Sequence, residues 1–300
     1  MSVVLSMLLL NPGSASAQDE TRDDVNTPEA NAVVRIGGCT GTLITERIVL
    51  TAAHCVPAVV TKAPEGTVLP CEKLSQQRKL QGRAAWQDPM AFHPIAPKRK
   101  PTIRFGVNEN RFGLGIQAKE YSLPYCADMA LLRLAHPVPS GVATPMPVLV
   151  GLGDGPGRLN WTELDLRHSG WGEAKHDFHD QPKRRTGPVQ PWTANACHLF
   201  TLPPLRKDGR RIINGDSGSP LIARDTQGRE FVIGVIFGSG IPDGKTCGAP
   251  WLRVPKRHGA YTPTWRGEIP ETDATSLGAW IAHHAPEAAL VWSDLTQAKR

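Results

Sequence analysis

The sequence lacks any apolar run as long as the ~20 residues that a transmembrane helix requires, so we predict no membrane-spanning segment. It has no Cys-x-x-Cys pair, the spacing typical of a structural zinc site. Its net charge is only +6, and its basic runs are not interleaved with aromatic residues, which make up 6% of the chain. Nucleic acid is therefore not an expected partner.

A metal or cofactor site is not expected either. His176 and His179 could meet on one helical turn, but no spacing supplies a carboxylate or a cysteine as a further ligand. We interpret these two residues, together with His93, as solvated loop histidines. The sequence therefore predicts neither a metal nor a cofactor.

Glycine and proline are abundant, with 29 and 27 residues, and this favours a loop-rich, all-β fold over a helical one. The chain of 300 residues is long enough to bury a sizeable core. Short β-branched runs interrupted by glycine predict strands, and one stretch with helical spacing predicts a helix near the C-terminus. The predicted strands cover residues 33–36, 41–44, 47–53, 128–134 and 231–237, and the predicted helix covers 275–284.

The first 17 residues have the pattern of an export signal. Residues 3–10 form a short apolar run, and Ala-Ser-Ala at 15–17 matches the small-residue cleavage pattern, although no charged segment precedes the run. We predict a signal peptide over 1–17 and an acidic leader over 18–30, the alternative for the apolar run being an ordinary strand. Six cysteines, an even number, agree with an oxidising compartment, so we expect a secreted or periplasmic protein.

Three separated segments carry the chemistry of acyl transfer. Gly-Asp-Ser-Gly-Ser-Pro at 215–220 places Ser217 in a glycine-flanked turn, where a hydroxyl and two backbone N–H groups can face one carbonyl. A serine hydroxyl is a weak nucleophile until an adjacent base takes its proton. His54, in Thr-Ala-Ala-His-Cys at 51–55, is the candidate base, and Asp128, which begins Asp-Met-Ala-Leu-Leu-Arg-Leu, is the candidate residue that orients it. Any one of them alone is more often structural, but together they predict a serine hydrolase.

The three motifs resemble those of the trypsin/chymotrypsin family of serine proteases, in the same chain order. Weaker similarities are Cys-Thr-Gly-Thr-Leu-Ile at 39–44, which resembles the family's Cys-Gly-Gly-Ser-Leu-Ile, Gly-Trp-Gly at 170–172 and Gly-Ala-Tyr-Thr at 259–262. The resemblance implies two six-stranded antiparallel β-barrels with a short C-terminal helix and the active site between the barrels. It assigns residues 31–300 to the protease domain, with a long insertion around 56–127 that carries one or two strands.

For function, the resemblance implies a secreted endopeptidase that hydrolyses peptide bonds through an acyl-enzyme. Ser217 is then the nucleophile, His54 the general base and Asp128 the residue that orients the imidazole. The backbone N–H groups of Gly215 and Ser217 form the expected oxyanion hole, and Gly238 is expected along the wall of the substrate pocket. The expected partner is a protein or peptide substrate, and the sequence assigns no oligomeric state.

The resemblance also implies a disulfide between Cys39 and Cys55, which connects the histidine segment to its neighbouring strand. Closing so short a loop contributes about 3 kcal/mol in the chain-entropy model. The other four cysteines allow three pairings, and of these we favour Cys71–Cys126 together with Cys197–Cys247.

Three departures from the family pattern bear on activation and specificity. No Ile-Val-Gly-Gly segment precedes the first strand. In trypsin-like members such a new amino terminus pairs with the aspartate before the serine, here Asp216. Either Asp216 has another partner or the chain is active without such processing. Ile213 stands where the family has the cysteine that closes the specificity pocket, and Arg211 stands at the pocket base.

The position of Arg211 leaves two interpretations of substrate preference, neither of them a preference for lysine or arginine. A guanidinium inside the pocket would select a substrate carboxylate, because an unpaired buried charge is costly. An Arg211 side chain that points to solvent would leave a pocket lined by Ile212, Ile213 and glycines, which prefers small or apolar side chains. The second interpretation is favoured, since arginine is rarely buried unpaired.

Two other functions remain open at this point. A catalytically inactive protease homologue that acts as a binding or adhesion module would account for the basic loops and the missing activation motif, but all three triad residues are present. An esterase-type hydrolase would use the same chemistry. However, the Ser-Asp-His order and the Gly-x-Ser-x-Gly turn of those enzymes do not fit this sequence.

Overall fold

The computed structural model describes residues 26–56, 88–106, 112–124, 127–151, 160–172, 184–194, 198–202, 212, 214–238, 258–265 and 276–292. Most regular structure in these residues is β-sheet, with one α-helix near the C-terminus. Short 3-10 turns lie at Ala30–Ala32, Ala53–Cys55, Pro97–Arg99, Trp161–Glu163 and Pro286–Ala288.

The first seven strands form one antiparallel sheet: β1 (Val33–Ile36), β2 (Cys39–Leu43), β3 (Ile48–Thr51), β4 (His93–Pro94), β5 (Thr102–Gly106), β6 (Phe112–Ser122) and β7 (Ala130–Leu134). Along the sheet the order is β4-β6-β5-β1-β2-β3-β7. A further pairing between β6 and β7 closes six of these strands into a barrel, and β4 attaches to β6 outside the ring.

The continuous apolar run of β3 is explained by its two buried faces. Successive side chains of a strand point in opposite directions. Val49 packs in the core inside the barrel, whereas Ile48 and Leu50 pack in a second core that includes Leu131 of β7 and Ile281 near the C-terminus. All four residues of β3 are buried as a result.

The second sheet contains β8 (Val148–Gly151), β9 (Asp165–Gly170), β10 (Arg185–Pro188), β11 (Gln190–Ala194), β12 (Leu199–Leu202), β13 (Pro220–Arg224), β14 (Glu230–Gly238), β15 (Gly259–Pro263) and β16 (Ala289–Val291). Seven of them follow the antiparallel order β10-β9-β13-β14-β15-β12-β11, while β8 pairs in parallel with β14 and β16. The sheet curls around a core that includes Leu166, Leu221, Phe231 and Tyr261. It forms a half-barrel in the described residues.

The helix α1 spans Leu277–His284, which begins two residues later than predicted. Ser276 caps it, because its Oγ accepts a hydrogen bond from the Ala279 N–H at 3.0 Å. Trp280 is buried, and its Nε1–H donates to the Ser122 hydroxyl at the end of β6 at 2.9 Å. The helix lies between β15 and β16 in the chain, and it packs against β8 of the second sheet as well as against the first barrel.

A buried arginine also connects the two halves. Arg184, directly before β10, is 3% exposed, and its Nη1 donates to Asn31 Oδ1 and to the Gly106 carbonyl, both at 3.0 Å. Burial lowers the pKa of this guanidinium to about 10, so it remains charged at neutral pH. The Asn31 side chain donates in turn to the carbonyl of Val142, in the connection between β7 and β8, at 2.9 Å.

The predicted all-β class with a short C-terminal helix is confirmed by the closed six-stranded barrel, the curled half-barrel sheet and α1. The signal peptide over 1–17, residues 18–25 of the leader and residues 57–87 of the insertion lie outside the described residues. The described part of the insertion forms three strands, β4 to β6, where one or two were expected, because β5 and β6 belong to the barrel. No helix in the described part of the chain is long and apolar enough to cross a membrane.

Candidate active site

His54 lies where a buried strand ends. β3 (Ile48–Thr51) leads into the 3-10 turn Ala53–Cys55, which carries His54 at its centre. The disulfide between Cys39 and Cys55 is present, with 6.0 Å between the two Cα atoms, and connects this turn to the first residue of β2. The histidine therefore sits on a short turn that is joined covalently to the neighbouring strand.

Asp128 binds His54 through both of its carboxylate oxygens. The ring Nδ1 of His54 lies 2.6 Å from Oδ2, and the His54 backbone N–H donates to Oδ1 at 3.0 Å. An ionised carboxylate only accepts hydrogen bonds, so Nδ1 carries the proton in this contact and Nε2 is left for a second partner. The His54 side chain is 31% exposed and that of Asp128 is 9% exposed. The carboxylate is thus covered while the ring remains accessible.

The serine turn packs against the segment that carries His54. The Ser217 carbonyl accepts a hydrogen bond from the Thr40 N–H at 2.8 Å and lies 3.5 Å from the Cys55 sulfur. The next residue, Gly218, has a φ of +84°, and a β-carbon at this position would overlap with the Thr40 carbonyl and the Thr51 hydroxyl. Only glycine allows so close an approach, which brings Ser217 beside the His54 turn.

Gly215 and Asp216 are held at the other side of the same turn. Gly215 has a φ of +94°, and its carbonyl accepts a hydrogen bond from the Thr40 hydroxyl at 2.9 Å. Asp216 is fully buried, and its Oδ1 accepts a hydrogen bond from the Gly172 N–H at 2.9 Å. Residues 215–218 are therefore fixed by contacts from both halves of the molecule.

The fold and these motifs agree with the family comparison. The family model described as Trypsin matches residues 22–250. The chain belongs to the trypsin family. This is a family of serine proteases, which are hydrolases that act on peptide substrates. The match confirms the resemblance seen in the motifs.

In this trypsin-family chain, Asp216 has a second buried neighbour that the sequence motifs did not identify. His168 of β9 is fully buried, and its Nε2 lies 3.5 Å from Asp216 Oδ1. The opposite ring atom, Nδ1, lies 2.9 Å from the hydroxyl of Tyr261 on β15. The sequence signal for this pair was indirect, namely that no Ile-Val-Gly-Gly segment, the source of the aspartate's partner in trypsin-like members, precedes the first strand.

Of the two predicted substrate-binding residues, the structure describes Gly238 but not Arg211. Gly238 is half-buried at the end of β14 and pairs with Ala260 of β15. Its strand contacts the serine turn through a hydrogen bond from the Gly218 N–H to the Ile236 carbonyl at 3.0 Å. Outside the described residues lie Arg211, Ile213, Cys71, Cys126, Cys197, Cys247, His176 and His179.

One group of potential metal ligands in the described residues comprises Cys39, His54 and Cys55, whose donor atoms lie within 4.8 Å of one another. Both sulfur atoms belong to the disulfide. Neither is a thiolate, the form that binds metals, so this group does not have the chemistry of a metal site.

Proposed function

We propose that this protein is a serine endopeptidase in which His54, Asp128 and Ser217 act as a catalytic triad. The observation that supports it most directly is the pair of hydrogen bonds between His54 and Asp128, at 2.6 and 3.0 Å. These bonds fix the tautomer and the orientation that a base needs in order to accept a proton at Nε2.

The reaction proceeds in two halves. His54 Nε2 takes the proton of the Ser217 hydroxyl as Oγ attacks the scissile carbonyl, and a tetrahedral intermediate forms. The imidazolium then gives this proton to the leaving amine, and the C–N bond breaks to leave an acyl-enzyme. Water repeats the sequence on the ester, and Asp128 stabilises the imidazolium in both halves.

The Gly215 and Ser217 N–H groups serve as the oxyanion hole. The neighbouring N–H groups of Gly218 and Ser219 already donate to the carbonyls of Ile236 and Asp216, at 3.0 and 2.9 Å. Those of Gly215 and Ser217 donate to no acceptor among the described residues. Two donors of one fixed turn that meet no acceptor in the described part of the chain are what a developing oxyanion requires.

The test of this proposal combines labelling and turnover. Wild-type protein and a Ser217→Ala variant are treated with a fluorophosphonate probe, and peptide hydrolysis is measured in parallel. We expect the label to map to Ser217 and both signals to vanish in the variant, with an unchanged circular dichroism spectrum. A folded wild-type protein that neither reacts nor cleaves would refute the proposal and support the inactive homologue.

The enzyme is exported. The signal pattern over residues 1–17 supports this location, as does the Cys39–Cys55 disulfide, because disulfides persist in oxidising compartments. Expression of the full chain with a C-terminal tag, followed by N-terminal sequencing, tests it. Gln18 is the expected first residue, and a cytoplasmic product that retains residues 1–17 would contradict the proposal.

The substrate pocket prefers small or apolar side chains before the cleaved bond, and the support for this is the cost of burying the Arg211 charge without a partner. Cleavage profiles of a peptide library are compared for wild type and Arg211→Ala. An apolar profile that the variant retains agrees with the proposal. Enrichment of Glu or Asp that disappears in the variant would assign Arg211 to the pocket instead.

A further inference from the structure

Thr40 uses every polar atom it has, although it is fully buried. Its N–H donates to the Ser217 carbonyl at 2.8 Å, and its own carbonyl accepts from the Thr51 hydroxyl at 2.7 Å. Its hydroxyl lies 2.9 Å from both the Gly215 carbonyl and the Trp171 backbone nitrogen. One residue of the first barrel therefore contacts the serine turn at two carbonyls and the second half of the molecule at one N–H.

The direction of the hydroxyl contacts follows from the partners. The Trp171 N–H can only donate, and the Gly215 carbonyl can only accept. The Thr40 hydroxyl must therefore accept from Trp171 and donate to Gly215. Neither partner can be satisfied by an apolar side chain of the same shape, and a buried polar group without a partner is unfavourable.

The contact to Gly215 bears on the proposed oxyanion hole. Glycine has an unusually wide range of backbone conformations, and Gly215 is held at a φ of +94°. Its carbonyl and its N–H belong to adjacent peptide groups, so fixing the carbonyl restricts the direction in which the N–H points. Trp171 and Gly172 complete the arrangement, because the first donates to Thr40 and the second to Asp216.

We infer that Thr40 is a positioning residue for the oxyanion hole, with its hydroxyl holding the turn 215–217 in the conformation that presents both N–H groups. This inference rests on the proposed function. The similar family motif has glycine at this place, so the hydroxyl contacts belong to this chain's own sequence. Thr40 acts through Gly215 and need not touch the substrate.

The kinetic test uses three variants. Thr40→Val removes the hydroxyl and keeps the volume, Thr40→Ser keeps the hydroxyl, and Thr42→Val removes another buried threonine hydroxyl of β2 as a control. We expect Thr40→Val to lower kcat by roughly 10- to 100-fold with little change in KM, less than the ~10²–10³-fold cost of deleting an oxyanion donor outright. Thr40→Ser should restore kcat to within about threefold of wild type.

Hydrogen exchange supplies a readout that is independent of activity. The Trp171 amide loses its acceptor in Thr40→Val, so it should exchange roughly tenfold faster there than in wild type, Thr40→Ser or Thr42→Val. Equal kcat values in Thr40→Val and wild type would overturn the inference, as would equal losses in Thr40→Val and Thr42→Val. A wild-type protein without hydrolysis would refute the proposed function instead, and the exchange rates would still show whether the Thr40 hydroxyl holds the Trp171 amide.

Discussion

The Nε2 atom of His168 lies 3.5 Å from Oδ1 of Asp216, and both side chains are fully buried. A carboxylate in such a place is unfavourable unless a hydrogen-bond donor or an opposite charge accompanies it. His168 lies beside this carboxylate, and Tyr261 contacts the other ring nitrogen of the histidine. A hydroxyl can donate or accept, so the Tyr261 contact serves either protonation state of the ring. Asp216 therefore has a buried histidine beside the carboxylate that trypsin-like members pair with a new amino terminus.

Replacement of His168 by leucine should lower both stability and turnover. Leaving the Asp216 carboxylate without this neighbour is expected to cost about 3 kcal/mol and to displace the serine turn. His168→Gln, which keeps an N–H near the position of Nε2, should recover part of each loss. Chemical denaturation and kcat are the measurements, with the exposed His136→Leu as the control. Wild-type values for both quantities in His168→Leu would contradict this role.

Replacement of Asp128 by asparagine should reduce kcat by about 10³- to 10⁴-fold while the fold is retained. The amide cannot accept at both of the positions that the carboxylate uses, so the His54 ring loses its fixed tautomer. Steady-state kinetics on purified protein, with thermal melting as a check on folding, gives the result. A fall in kcat of less than about tenfold would exclude Asp128 as the orienting residue.

Alanine at Gly218 should inactivate the protein, whereas alanine at Gly228 should not. The two glycines have nearly equal φ values, +84° and +81°, so a side chain is strained at either position by about 1–2 kcal/mol. Only at Gly218 would the β-carbon also overlap with Thr40 and Thr51, since nothing lies near it at Gly228. We compare the two variants in free energy of unfolding and in fluorophosphonate labelling. Because the backbone strain is similar in both, the difference between them measures the effect of the overlap. Equal effects at both positions would disprove it.

Acid should destabilise the contact between α1 and the segment 88–93. Burial lowers the pKa of His284, and the charges of His283 and Arg133 lower it further, against the opposing influence of the Pro89 carbonyl and Asp88. The Nε2–H of His284 donates to the Pro89 carbonyl at 2.8 Å. The neutral ring is therefore the form that the folded protein favours.

The sign of this effect follows from the direction of the shift. Unfolded histidine titrates near ~6.5, so the folded state binds fewer protons below that pH and loses stability as pH falls toward its lower pKa. Melting temperatures between about pH 7.5 and 5 should decline less in His284→Gln, which keeps a donor, than in wild type. His136→Gln is the control at an exposed histidine. Parallel curves for all three proteins would show that His284 does not contribute.

Local pattern predicted five of the sixteen strands in the described residues, together with the helix. Val33–Ile36 is a strand with the bounds that were predicted, and β14 extends the predicted 231–237 by one residue at each end. The helix begins within two residues of its predicted start. These elements could be predicted because their signals, β-branched runs interrupted by glycine and helical spacing of apolar residues, each extend over only a few neighbouring residues. The family, and the Cys39–Cys55 pair that it implies, followed from motifs that are short and ordered along the chain.

The sequence by itself determined the family, five of the strand segments and the identity of the three triad candidates. Tertiary structure alone decided which residues support them. Thr40 and Gly215 are 175 residues apart and His168 and Asp216 are 48 apart, yet each pair meets because antiparallel strands of a curled sheet and a closed barrel bring distant segments together. The spacing of residues along a short stretch of sequence does not predict such contacts. A buried polar atom must find a partner wherever the fold supplies one, and only the folded chain shows which residue that is.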